Sequence, residues 1–294
     1  MTNVANNYFR ILSVLDSLNL KLTKTSKVGR PPKMSDLEVI ALSFTAEYLS
    51  IDSENALFNF IEKELIDNLL ERSQFNKRRR QLFDFSEQAR QKLASVFLSF
   101  EDCFIIDSMP IEICKPARVK HLRICKEEQR TAPTKGYCAS QQSGYYGYKL
   151  HGICSITGVF HSIEITQAHI HDLQILSEVS YKLSDCVLIG DKGYLSKAKQ
   201  EELLQIANID LQTPMRSNQK GSKKSWSFFK KVRKKIETLF SQLCNQFRIR
   251  TNYAKSFWGF KTRILAKITA LTLIQYINKI IFDRNINKVK IAIT

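Results

Sequence analysis

The chain has 294 residues, 44% apolar and 10% aromatic, which is enough to bury a core in one large or two ordinary domains and excludes disorder as its main state. It carries 45 Lys and Arg against 28 Asp and Glu, a net charge of +17, so an anionic partner is expected. No charge-free run of about 18 apolar residues and no apolar stretch near the start predict a spanning helix or a signal peptide, and seven cysteines without a CxxC pair read as reduced thiols, so a soluble cytoplasmic protein is expected.

The first hundred residues read as helices. Tyr8, Ile11, Leu12, Leu15 and Leu18 keep a helical stripe that Gly29-Arg30-Pro31-Pro32 ends. Ser35 and Glu38 form a capping box that opens a helix through Val39, Leu42 and Ala46. A third helix starts near Ser53, with Leu57, Phe58, Ile61, Leu65 and Leu69 on one face. Lys77-Arg78-Arg79-Arg80 interrupts it, and Ala89, Leu93, Val96 and Phe97 mark a fourth. A helical bundle is expected over a helix-turn-helix, with the run at 77–80 as a phosphate-contacting edge.

From Asp102 the texture changes. Residues 103–107 form a short β-branched strand ending in Asp107, and the polar stretch 119–142 reads as a loop. Strands at 148–156 and 159–166 join at Thr157-Gly158. A helix over 171–183, a strand over 186–191 ending in Asp191, a helix near 196–206, a strand at 209–214 and a basic amphipathic helix at 226–247 follow. A last amphipathic helix, 264–282, closes a core or a dimer, with Lys267 and Lys279 arguing against a membrane span. This order predicts a mixed α/β sheet, in which strand carboxyl ends carry the site.

Charge concentrates late in the chain. Residues 201–294 hold 19 basic and 5 acidic groups, and between 211 and 250 eleven Lys or Arg accompany one carboxylate, Glu237. Nucleic acid is the expected partner, with a solvated basic face and a membrane surface as alternatives. Asp107, Asp191 and Glu237 offer the oxygen donors that Mg²⁺ takes, though a strand-end turn, a helix cap and an i,i+4 pair with Arg233 would each account for one of them. His169 and His171 read as caps of the next helix rather than metal ligands, and Cys103, Cys114 and Cys125 match no zinc spacing. Tyr145, Tyr146 and Tyr148 could stack on bases or fill a strand's core; Trp226, Phe228 and Phe229 could dock the helix at 226–247 or insert into DNA.

Together, Asp107 after an apolar strand, Gly190-Asp191-Lys192-Gly193-Tyr194 and Arg233-Lys234-Lys235-Ile236-Glu237 resemble a DDE transposase of a bacterial insertion sequence, most similar to the insertion-sequence 982 family. The likeness extends to Gly29–Lys33, Phe104–Pro110, Lys135–Cys138, Gly147–His151 and Ile236–Leu243. It implies a ribonuclease-H-like catalytic domain preceded by an all-helical region, with Asp107, Asp191 and Glu237 holding two Mg²⁺ (or Mn²⁺) ions. It further implies cleavage at the element's ends and strand transfer into target DNA. Arg233 matches the arginine of a Tyr-x-x-Arg-x-x-x-Glu-x-x-x-x-x-x-Lys signature, whereas Lys230 and Cys244 stand at the tyrosine's and lysine's places.

The expected layout is a helical region (1–100) that binds terminal inverted repeats, a catalytic domain (101–255) and a C-terminal helix (256–294). Lys230, Lys231, Arg233, Lys234 and Lys235, with Lys77, Arg78, Arg79 and Arg80, are expected to contact double-stranded DNA. A homo-oligomer on DNA, in a bacterial cytoplasm and associated with the nucleoid, is expected. Rival readings are a non-catalytic, domesticated DNA-binding protein on the same fold and a nuclease without strand transfer.

Overall fold

The computed structural model describes the whole chain except residues 1–3, 21–31, 62–65, 67, 100, 140, 215–225 and 294, with backbone alone at 226–228. The break expected at Gly29–Pro31, the inward Leu65 and the side chains of Trp226 and Phe228 therefore lie outside the described residues. Two compact units emerge, a helical one of residues 1–96 and 243–294 and an α/β one of residues 97–242. The C-terminal residues beyond 256 thus share a unit with the N-terminal helices.

The helical unit holds α1 (Val4–Ser17), α2 (Asp36–Tyr48), α3 (Glu54–Ile61), α4 (Arg72–Gln81), most of α5 (Phe83–Leu98) and a late helix (Phe257–Tyr276) that ends in a π-turn. The capping box is present: Glu38 N donates to Ser35 Oγ (3.1 Å) and Ser35 N to the Glu38 carboxylate (2.6 Å). The α2 helix is apolar nearly all round and packs against α1, α4 and the late helix, as a central core helix must. The run 77–80 does not interrupt the helices but forms the last turns of α4. Arg78 is held there by Asp36 and Met34 O, and buried Arg79 by Glu54 (3.1 Å). Opposite charges from neighbouring helices make the basic run tolerable, which its local composition does not show.

The late helix is long and apolar enough to cross a membrane, but it is the core helix of this unit, with 78% of its most apolar window buried. Its two buried cations, Arg263 and Lys267, meet the fully buried Glu47 of α2. Arg263 Nε donates to Glu47 (3.0 Å) and Nη1 to Asp52 O (2.6 Å), while Lys267 Nζ donates to Glu47 and to Phe247 O (2.7 Å).

The α/β unit is built on a six-stranded sheet. Its strands are β1 (Cys103–Cys114), β2 (Thr134–Cys138), β3 (Ser143–Ser155), β4 (Phe160–Gln167), β5 (Cys186–Ile189) and β6 (Ile209–Gln212). The order is β2-β3-β1-β5-β6, with β4 also paired to β3. The first four strands pair antiparallel, whereas β1-β5 and β5-β6 are parallel. Four antiparallel strands followed by two parallel ones reached through helices α6 (Leu176–Val179) and α7 (Lys197–Ala207) make the expected ribonuclease-H-like mixed sheet. On one face, Phe104, Ile106, Ile153, Leu188 and Leu211 pack against Leu176, Val179, Tyr194 and Leu203.

Several expected elements differ in extent, β1 running on to Cys114 rather than ending at Asp107 and β3 starting at Ser143. The stretch 119–142 contains β2, an edge strand whose polar residues are held by pairing with β3 rather than by an apolar pattern. The helix expected over 171–183 shrinks to a 3₁₀ turn, Asp172–Ile175, and the single turn of α6. Tyr145, Tyr146 and Tyr148 are buried, with the Tyr148 hydroxyl donating to Thr131 O (2.6 Å), so they serve the core rather than an open stacking surface.

Candidate active site

The level of the two aspartates follows from strand register. The parallel pairing of β1 with β5 ends at Ile105↔Ile189, and Asp107 and Asp191 each stand two residues farther on. The β1 strand continues to Cys114, so Asp107 lies inside a strand, at the point where its parallel neighbour stops. Continued pairing with β3 holds that backbone straight.

The helix bearing Glu237 is α8 (Trp226–Asn245). Ile236, Leu239 and Phe240 form its buried side, and the Phe240 ring lies 6.1 Å from that of Phe160 on β4. Gly152, the partner of Asp107 in the β1-β3 register, makes this docking possible. A Cβ there would stand 2.7 Å from the Phe160 ring and 3.4 Å from that of Phe240. Because paired residues point to the same face, α8 lies over the face from which Asp107 projects. Arg233 Nη2 donates to Asp107 Oδ2 (3.1 Å) and reaches Glu237 Oε1 (3.8 Å).

Four members of the motif 190–194 have a packing explanation. Asp191 Oδ1 accepts from Gly193 N (2.7 Å) and caps the short turn. A Cβ at Gly193 would approach Asp191 Oδ1 to 2.9 Å and Asp172 Oδ2 to 3.4 Å, and one at Gly190 would crowd the buried Tyr194 at 3.1–3.2 Å. Glycine at both places lets an aromatic ring and two carboxylates, one of them from another turn, meet at this point.

Asp172 is the residue that sequence reasoning missed as part of this site. Its Oδ1 accepts from Lys149 Nζ (2.9 Å) and from Ser108 Oγ (3.3 Å), and His151 Nδ1 lies 4.0 Å away. Its helix-start position suggested a dipole role only; the available signal was Lys149 in a strand two residues before His151. His171 caps the 3₁₀ turn through Leu173 N (3.2 Å) and His169 Nδ1 meets Thr134 Oγ1 (3.0 Å), so that pair is structural. His151 is neutral: burial pushes its pKa down to about 4, with Lys149 and Lys182 acting the same way against Asp172.

Burial also pushes the Asp107 carboxyl up to about 6, against the pull of Arg233 and with a small push from Asp191. Burial disfavours the Arg233 cation, but Asp107, Asp191 and Glu237 outweigh it and raise its pKa. Among the described residues no three His, Cys, Asp or Glu side chains stand close enough to hold a metal ion. Asp107 and Glu237 of the expected triad are instead linked through the Arg233 guanidinium, because a largely buried carboxylate such as Asp107 requires a nearby cation.

A consequence can be measured in the metal-free protein. The folded-state pKa of Asp107 exceeds that of an unfolded Asp, about 3.9, so folding favours the protonated form. Its contribution to stability is therefore fully present below pH 4 and lost as pH rises through about 6. Wild type minus Asp107→Asn, followed by urea melting in EDTA, should fall by up to about 3 kcal/mol between those limits. A flat difference would show that Asp107 is not strained by burial.

A model of the Transposase DDE domain matches residues 98–273, more than half of the chain. The chain belongs to the DDE transposase family. The matched stretch contains every residue of the constellation around Asp107 and the whole sheet of this transposase. No curated protein matches it. A solved chain titled "Mos1 transposase paired-end complex with left transposon end" aligns with 83% of this chain and 86% of its own at 12% identity, with a TM-score of 0.24. The fold of the transposase rests on the strand order above, not on that alignment.

The basic residues expected at DNA separate into two groups. Lys230, Lys231, Lys234 and Lys235 are exposed on α8, beside Arg233 and Glu237. In α4, Lys77 and Arg80 are exposed, whereas Arg78 and Arg79 are engaged by Asp36 and Glu54 inside the helical unit and are corrected to structural residues.

Proposed function

We propose that the protein is the transposase of a bacterial insertion sequence, akin to the 982 family, which cleaves DNA at the element's ends and joins the freed 3′-hydroxyl to target DNA. The observation that supports this most is the convergence of Asp107, Asp191 and the Arg233–Glu237 turn of α8 on one side of the sheet, within the family-matched stretch. The donors are all carboxylates, which suits a hard divalent cation, and the deep burial of Asp107 leaves it in need of positive charge. Asp107, Asp191 and Glu237 would hold Mg²⁺ or Mn²⁺. Ions held there would supply activation of an attacking oxygen and charge stabilisation of a leaving one.

The chain's own residues position the reactants. Arg233 orients Asp107 and Glu237, and the exposed lysines of α8 would hold the phosphate backbone along the same helix. Such chemistry depends on alignment and charge stabilisation rather than covalent catalysis. In this reading the helical unit recognises the terminal inverted repeats, and the enzyme works as a homo-oligomer on DNA at the nucleoid.

The test is strand joining from a precleaved duplex bearing the inverted repeat that flanks the gene, with Mg²⁺ and with EDTA. Joining in Mg²⁺ alone is expected. Nicking without joining would make the protein a nuclease, binding without either would make it a DNA-binding protein, and absence of binding would sink the reading.

A further inference from the structure

The helical unit carries an exposed aromatic and basic surface that the chemistry above does not use. Trp258 and Tyr253 are 55% and 66% exposed, beside a helix that otherwise buries nearly every side chain. Trp258, in the first turn of the late helix, is held edge-on by Phe83 of α5 at 6.2 Å. Lys261 Nζ lies 5.8 Å from the Trp258 ring centre and 5.2 Å from that of Phe83. From α4, Arg80 passes the same place: its Cδ would be 3.7 Å from a Cβ on Gly259. Arg80 and Lys77 are exposed on α4 and Lys255 just before the late helix, while Asp84 is the acid beside Phe83. An indole held beside Lys261 and Arg80, with Lys77 one turn earlier on α4, matches a sugar-phosphate backbone, since cations neutralise phosphates and an aromatic face packs on a deoxyribose or an unstacked base.

We propose that Lys77, Arg80, Trp258 and Lys261 form a contact surface for double-stranded DNA, the cations on phosphates and Trp258 against a base or sugar. The proposal rests on the transposase reading for its partner and adds where the helical unit meets it. Neither end of the chain makes this surface alone, because Arg80 and Trp258 come from opposite ends of the sequence.

The test uses the full chain carrying Trp226→Phe, which leaves Trp258 as the sole tryptophan of two. Adding duplex DNA should quench its emission. In the wild-type background Trp258→Ala should weaken duplex binding about tenfold, Trp258→Phe should restore most of it, and Arg80→Ala and Lys261→Ala should each lower the salt slope by about one. Duplex binding with unchanged Trp258 emission, and unaltered by Trp258→Ala, would overturn the surface and leave the transposase reading standing. Emission that shifts with protein concentration without DNA would make it a contact between copies of the chain, which also overturns it. Wild-type protein that binds no duplex would remove both ideas.

Discussion

Asp191→Asn is expected to abolish strand joining, by at least about a thousandfold, while duplex affinity stays within about threefold of wild type. The fold should survive the change. Asp191 accepts one hydrogen bond, from Gly193 N, and the amide oxygen of Asn can accept the same bond. What the variant loses is a negative charge beside Asp107, which the proposed chemistry needs. Glu237→Gln should behave alike, since Glu237 is about half-exposed on α8 and its 3.8 Å approach to Arg233 adds little stability. The joining assay and duplex binding, run side by side, decide the matter. Wild-type joining by Asp191→Asn would show that this carboxylate is only a turn cap.

Glu47→Ala should lower the unfolding free energy by about 3–5 kcal/mol, because it leaves two cations buried with no anion. Burial alone would raise the Glu47 pKa, but Lys267 and Arg263 together outweigh that and hold it below the usual carboxylate range. Its stabilising contribution is therefore present above the unfolded value, about 4.3, and is lost as pH falls through the folded one. Denaturant melts of wild type and Glu47→Ala at pH 7 measure the effect. The triple change Glu47→Leu, Arg263→Met, Lys267→Leu should recover much of the loss, since an apolar set of similar volume avoids the desolvation that the ions suffer. A loss under about 1 kcal/mol in the single variant would mean that water reaches this cluster.

Where local chemistry decides an outcome, the sequence was readable. The Ser35–Glu38 capping box, the hairpin at Thr157-Gly158 and the strand ending before Asp191 depend on neighbours within a few residues, whereas β1 runs on past Asp107 because β3 pairs with it. So does the inward side of α8, where Ile236, Leu239 and Phe240 repeat at helical spacing. The motif from Gly190 to Tyr194 pointed to the right turn without its reason, because the crowding at Gly193 comes partly from Asp172, a residue of another turn.

Other features depended on distant partners. The β2 strand is polar and exists through its pairing with β3. Arg78 and Arg79 look like surface cations until Asp36 and Glu54 arrive from other helices. The membership of Asp172 in the site needed the β3 strand to bring Lys149 to it. By itself, the sequence determined the α/β sheet, its helical companion and the basic late third, because period, turn chemistry and charge are local properties. Tertiary structure alone decided that Arg233 is the cation linking Asp107 to Glu237, and that Arg263 and Lys267 close the helical core on Glu47. Desolvation and charge pairing are set by groups more than a hundred residues apart in the chain, and only folding brings them within reach.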